Sequence, residues 1–235
     1  MSHKIGHLYG LGIGPGDPEL LTLKALRILK SVSVIAYPIS ERQQSLARTI
    51  VEPYLTGNQI EVPILLPFKL AESSQPYYDE AADKIAAHLH QGKDVVVLCE
   101  GDPFFFGTFM YLYTRLVDTF PTTVVPGVSS VMASASALGV PLTYRNDIFM
   151  VLSAILPADS LASRLAVADA AVIIKLGKHF RKVCGVLQQL GLMERAKFIE
   201  RAAMPNQKVI PIGEVNPDKV PYFSLIVIPS HLMSI

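Results

Sequence analysis

Two stretches of this chain pair a pliable backbone with a carboxylate: Gly10-Leu-Gly-Ile-Gly-Pro-Gly-Asp-Pro-Glu19 and Glu100-Gly-Asp-Pro-Phe-Phe-Phe-Gly107. In the first, Gly10, Gly12, Gly14 and Gly16 alternate, which frees the backbone to turn sharply and to approach a ligand. Asp17-Pro18-Glu19 reads as a helix start, with a capping carboxylate, proline in the first turn and a second acid near the positive helix end. Asp17 thus reads as a helix cap, and Asp102 repeats the pattern in the second stretch. Two better-known glycine-rich loops do not fit. A P-loop ends in Gly-Lys-Ser/Thr, whereas here the lysine is missing and Asp17 puts negative charge where a phosphate would sit. The Gly-x-Gly-x-x-Gly spacing of dinucleotide binders also fails. Taken alone, the first stretch is equally a tight turn without a ligand.

Other reactive residue types weigh less. Ser129 and Ser130 lack the Gly-x-Ser-x-Gly frame of a hydrolase nucleophile. Phe104, Phe105 and Phe106 point in different directions, so only some can face a ligand. Lys175, Lys178, His179, Arg181 and Lys182 form the densest basic cluster; a solvated helix end explains it at least as well as an anion site. Cys99 follows an apolar run and reads as a packed thiol. His88 and His90 are two apart on a helix and face differently, so no metal site is expected.

The elements that position these loops follow from hydrophobic periodicity. Asp94 to Cys99 is a continuous β-branched run of the kind buried on both faces of a sheet. Strands are expected around His7–Tyr9, Val32–Tyr37, Ile60–Leu66 and Thr122–Val125. They alternate with helices from Leu20 to Lys30, up to Tyr54, over Tyr77–Gln91 and over Thr108–Val117; Lys69–Pro76 reads as loop. Such alternation implies a mostly parallel sheet with ligands beyond the carboxyl ends of its strands, which places both Gly-Asp-Pro loops on one edge. The second half is less regular: strands near Ile148–Leu152, Ala171–Leu176, Lys197–Arg201 and Tyr222–Ile228, helices after 130, 160 and 179, and a hairpin or excursion over Val209–Pro221. The expected boundary divides an α/β domain of residues 1–122 from a second, mixed α/β domain of residues 123–235.

Composition narrows the classes. Half of the 235 residues are hydrophobic, enough for a sizeable core. With 21 Lys+Arg against 20 Asp+Glu, the electrostatic case for nucleic acid or an anionic membrane is absent. Two cysteines outside any Cys-x-x-Cys pair suggest a reducing compartment. No apolar run is long enough to cross a bilayer, and Met1-Ser2-His3-Lys4 carries no signal-peptide features, so a cytoplasmic protein is expected.

Four motifs in this order, Gly12-Ile-Gly-Pro-Gly-Asp-Pro-Glu-Leu-Leu-Thr22, Glu100-Gly-Asp-Pro-Phe-Phe-Phe-Gly107, Pro126-Gly-Val-Ser-Ser130 and Lys175-Leu-Gly-Lys-His179, resemble the tetrapyrrole methylases over nearly the whole chain. Ala36-Tyr37-Pro38, Leu98-Cys-Glu100, Ile199-Glu-Arg-Ala202 and Tyr222-Phe-Ser224 are most similar to the branch that methylates C20 of precorrin-2 or its cobalt counterpart. Other members commonly have glycine where this chain has Glu100. The resemblance implies two α/β domains with the active site in the cleft between them, S-adenosylmethionine as methyl donor, a tetrapyrrole substrate, no protein-bound metal and a homodimer. By position it makes Glu100, Gly101, Asp102 and Phe105 one wall of the cofactor site. It gives Ser129 and Ser130 the methionine portion and Leu176 and Ala202 the adenine. Gly14, Pro15 and Gly16 fall on the substrate side. Asp17 becomes the first catalytic candidate and Asp102 the second; the lysine that some relatives use as proton donor has no match here.

Overall fold

The computed structural model describes residues 4–41, 43–65 and 75–231, and divides into two compact units, Met1–Ser129 and Ser130–Ile235. Most of the expected loop 69–76 lies outside the described residues. The first unit is built on five strands, β1 (Leu8–Gly12), β2 (Val34–Ile39), β3 (Ile60–Leu65), β4 (Val95–Cys99) and β5 (Thr122–Val125). They form one sheet in the order β3-β2-β4-β1-β5 with every pairing parallel. Since β5 pairs with β1 in register Leu8 to Thr122, it belongs to this unit and not to the second, beyond the boundary expected from sequence.

Side chains alternate along each strand, so both faces of the sheet bury apolar groups. One face joins Val34, Ala36, Val95, Val97 and Cys99 to α3 (Gln75–His90) and α4 (Phe109–Leu116). The other joins Leu11, Ile13, Ile35, Val96 and Leu98 to α1 (Leu23–Ser31) and α2 (Leu46–Val51). Gly10 is needed here because a Cβ would fall 2.3 Å from the ring of Phe109, which fills the space above β1.

The start of α1 differs from the sequence expectation. Asp17 caps only a 3-10 turn, Pro18–Leu20; Leu21 is extended, and Thr22 caps α1 by accepting from the Ala25 N–H at 3.1 Å. Proline and a local Asx turn favour the tight turn, and the threonine two residues later restarts the chain as a helix.

The second unit has strands β6 (Phe149–Ser153), β7 (Ala170–Ile174), β8 (Lys197–Glu200), β9 (Lys208–Ile210) and β10 (Ser224–Ile228) in the order β6-β7-β10-β8-β9. Only β6 and β7 are parallel; the other pairs are antiparallel, as the irregular pattern of this half suggested. The stretch Val209–Pro221 is an excursion between β9 and β10 with one 3-10 turn, Ile212–Glu214; the hairpin of this half, β8–β9, lies just before it and was not expected there. One face packs on α6 (Ala158–Leu165) and α7 (Phe180–Gln189), the other on the start of α5 (Ser130–Leu138) through Val131.

Candidate active site

In the first sheet β1 and β4 are neighbours, yet their following helices leave to opposite faces, α1 to one and α4 to the other. An open parallel sheet has its crevice beyond the carboxyl ends of two such strands. The loops at that point are the two Gly-Asp-Pro stretches, which the sequence placed on one edge.

They touch. Gly101 donates its N–H to the Gly14 carbonyl at 2.8 Å, Gly14 donates back at 3.4 Å, and the Ile13 N–H reaches the Cys99 carbonyl at 3.1 Å. Gly14 and Gly101 have φ of +79° and +68°, a region that favours glycine. The loop after β5 closes on the same spot. A Cβ on Gly127 would lie 2.1 Å from the Gly101 carbonyl oxygen and 2.8 Å from the Gly12 backbone. Three backbones thus meet at glycines in van der Waals contact. Pro126-Gly127 was visible as a loop signal, but its contact with Gly12 and Gly101 needs the β1–β5 pairing and could not be read in the chain.

Asp102 stitches this junction: Oδ1 accepts the Phe104 N–H at 2.9 Å and Oδ2 the Gly127 N–H at 3.0 Å. Among the described residues Asp17 accepts only the Glu19 N–H, at 2.8 Å and through Oδ1. Pro15 and Gly16 are buried. Burial pushes the Glu100 carboxyl above its ordinary value, opposed by its own backbone N–H and that of Ala47 in α2. Cys99 is fully packed, its thiol pushed up to about 12 by burial and then by Glu100, which fits the reading of a core thiol.

Beyond Asp102, Phe104, Phe105 and Phe106 are 48%, 39% and 45% exposed. Phe104 meets Tyr113 edge-on at 5.0 Å, and Phe105 meets Phe106 edge-on at 5.1 Å. Phe106 holds φ of +56°, costly for an aromatic residue and the kind of strain that gathers at functional loops. Aromatic faces beside carboxylates suit a sulfonium cation with an apolar nucleoside attached. Ser129 ends the loop after β5.

In the second unit Ser130 opens α5, its carbonyl accepting the Ser134 hydroxyl at 2.6 Å. Leu176 follows β7 and Ala202 follows β8; these strands run the same way on either side of β10, so both residues leave one edge of the sheet. Their side chains are buried on opposite faces, Leu176 with α6 and α7 and Ala202 with Val131 of α5. The same edge carries three non-glycine residues at positive φ, Lys175 (60°), Arg201 (51°) and Ala203 (63°). Lys175 stood out in the sequence for its charge and its motif, and Arg201 only within a motif; the strain at all three is invisible in composition. The basic cluster is partly tied down. Lys182 donates to the carbonyls of Ala154 and Leu156, and Arg181 grips Asp218 at 2.9 Å.

The model of the tetrapyrrole (corrin/porphyrin) methylases matches residues 7–216. The chain belongs to this family. Among relatives of this family member, the precorrin-2 C(20)-methyltransferase of a Sinorhizobium species is 37% identical over 96% of both chains. The cobalamin biosynthesis protein CobIJ of Mycobacterium bovis is 41% identical over 95% of this chain, which spans 46% of that protein, about half its length. A solved uroporphyrin-III C-methyl transferase from Thermus thermophilus, complexed with S-adenyl homocysteine, superposes with a TM-score of 0.68. It is 29% identical, over 95% of this chain and 92% of the other. The resemblance carried by the four motifs is thereby borne out at the level of family and fold.

Proposed function

We propose that the protein moves a methyl group from S-adenosylmethionine to C20 of precorrin-2 or its cobalt-containing form, as a step in making cobalamin. The observation that carries this reading is the end-to-end similarity to the Sinorhizobium precorrin-2 C(20)-methyltransferase, with the glycine junction and its two carboxylates at the carboxyl edge of the sheet. In this reading the first unit takes the substrate, along Gly14, Pro15 and Gly16, and part of the cofactor, at Glu100, Gly101, Asp102, Phe105 and Ser129. Ser130, Leu176 and Ala202 of the second unit supply the remaining cofactor contacts. The enzyme works in the cytoplasm as a homodimer.

S-adenosylmethionine supplies an electrophilic methyl on a sulfonium. The chain's own task is to hold C20, methyl and sulfur in line, which accounts for roughly 7 to 11 kcal/mol of a displacement barrier. As the C20–methyl bond forms and the methyl–sulfur bond breaks, C20 carries a proton that must leave to restore conjugation. Asp17 takes it: its Oδ1 is held by the Glu19 N–H, and Oδ2 has no hydrogen bond among the described residues. The Phe104–Phe106 rings shield the reduced macrocycle from water.

Incubation with methyl-labelled S-adenosylmethionine and either metal-free or cobalt precorrin-2 tests the reading. Mass spectrometry and NMR should find one new methyl, on C20. Methylation at another ring position would transfer the protein to a different branch. Failure to bind S-adenosylhomocysteine at high micromolar concentration would mark a non-enzymatic corrinoid or nucleotide carrier instead.

A further inference from the structure

Tyr37 stood out in the sequence and has no part in the reaction above. Its hydroxyl donates to Glu61 Oε2 at 2.5 Å, and the same carboxylate takes both arms of Arg48, Nε at 2.7 Å and Nη2 at 3.0 Å. Arg48 Nη1 also reaches Glu52 at 3.1 Å. Two neighbouring strands, β2 and β3, are thus tied to α2 through one fork.

Helix α2 has six residues, too short to be stable by itself, so its position depends on its ties. At its start Ser45 Oγ accepts the Arg48 N–H at 3.1 Å. Its inner face, Ala47, Ile50 and Val51, is fully or almost fully buried in the cluster that contains Ile13 and Leu98. Ile13 lies between Gly12 and Gly14, and Leu98 lies two residues before Glu100. The Glu100 carboxyl in turn meets the Ala47 N–H. Everything that fixes α2 therefore bears on the backbones of both site loops.

We propose that Arg48 is a positioning residue for the glycine junction, its bidentate grip on Glu61, buttressed by Tyr37, setting where α2 presses on Ile13, Leu98 and Glu100. This rests on the proposed function, because its readout is S-adenosylhomocysteine binding. A guanidinium is required for the role: a lysine ammonium pairs with one point of the carboxylate and cannot fix two angles at once.

Calorimetric titration of the full chain with S-adenosylhomocysteine decides it, with thermal unfolding run alongside. Arg48→Met should weaken binding about tenfold, as a displaced loop does, and Arg48→Lys should restore only part of it. Tyr37→Phe should have a smaller effect in the same direction. Arg115→Met is the control for lost stability alone, because it breaks the 2.7 Å pair with Asp79 between α4 and α3. Unchanged affinity in folded Arg48→Met, or an equal loss in Arg115→Met at matched unfolding temperature, overturns the proposal. Should Arg48→Met fail to fold, Arg48→Lys and Tyr37→Phe decide by the same readout, and wild-type affinity in both overturns it. A wild-type chain that binds no S-adenosylhomocysteine overturns the functional reading itself, an outcome distinct from the others.

Discussion

The tripeptide Gly-Asp-Pro occurs at the ends of two adjacent strands, and its carboxylate is used in different ways. After β1, Asp17 makes one local bond, to the Glu19 N–H, and closes a single 3-10 turn. After β4, Asp102 makes one local bond, to the Phe104 N–H, and one distant bond, to the Gly127 N–H. Among the described residues the first aspartate has no hydrogen bond at Oδ2, whereas both oxygens of the second accept, one of them from another loop. A repeated motif therefore does not imply a repeated role. What separates the two is the third loop, because β5 lies beside β1 and brings a backbone donor within reach of Asp102.

The comparison breaks most visibly at the junction. Gly127→Ala forces a Cβ into the Gly101 carbonyl and should cost about 3 kcal/mol or more in urea denaturation, a severe overpacking effect. Next comes the chemical asymmetry. Asp17→Asn should lower turnover about 100-fold with S-adenosylhomocysteine affinity little changed, whereas Asp102→Asn should weaken that affinity; rates and affinities that follow the opposite assignment would reverse the roles. On stability the order inverts: Asp102→Ala should cost about 2 kcal/mol for two charge-assisted bonds, and Asp17→Ala about 1 kcal/mol for one cap. Equal losses would erase the distinction between local and distant use.

The smallest effect concerns pH and the brace behind both loops. Arg48 holds the Glu61 carboxyl below its ordinary value, so its stabilisation is complete above the usual carboxylate range and fades as pH falls through the depressed folded value. Tyr37 is pushed up to about 12 by burial and then by Glu61. Its share is complete below pH 10 and fades as pH rises towards 12. Because Glu61 is about a third exposed, solvent screening keeps the acid arm under about 1 kcal/mol. Tyr37→Phe should remove the alkaline arm and Arg48→Met should flatten the acid one, read from unfolding temperature against pH.

Much of the fold was legible because its signals are local. The β-branched run at Val95–Val97 reads as an interior parallel strand, and Pro211, Pro217 and Pro221 mark the excursion between β9 and β10. The family was legible in four ordered motifs. Less visible was α1, where Asp17 drew attention and Thr22 does the capping. The boundary near Thr122 was misjudged for a related reason, since nothing in Thr122–Val125 says which sheet it will join.

By itself the chain determined where flexible backbone and carboxylates occur, because glycine, proline and aspartate act through their own and adjacent residues. Only the tertiary structure decided which carboxylate has an oxygen without a hydrogen bond among the described residues and which has both oxygens accepting. That depends on strand order: a donor 25 residues away in sequence becomes a neighbour only when β5 pairs with β1. The bond to Gly127 is a property of the sheet, and no reading of Gly-Asp-Pro contains it.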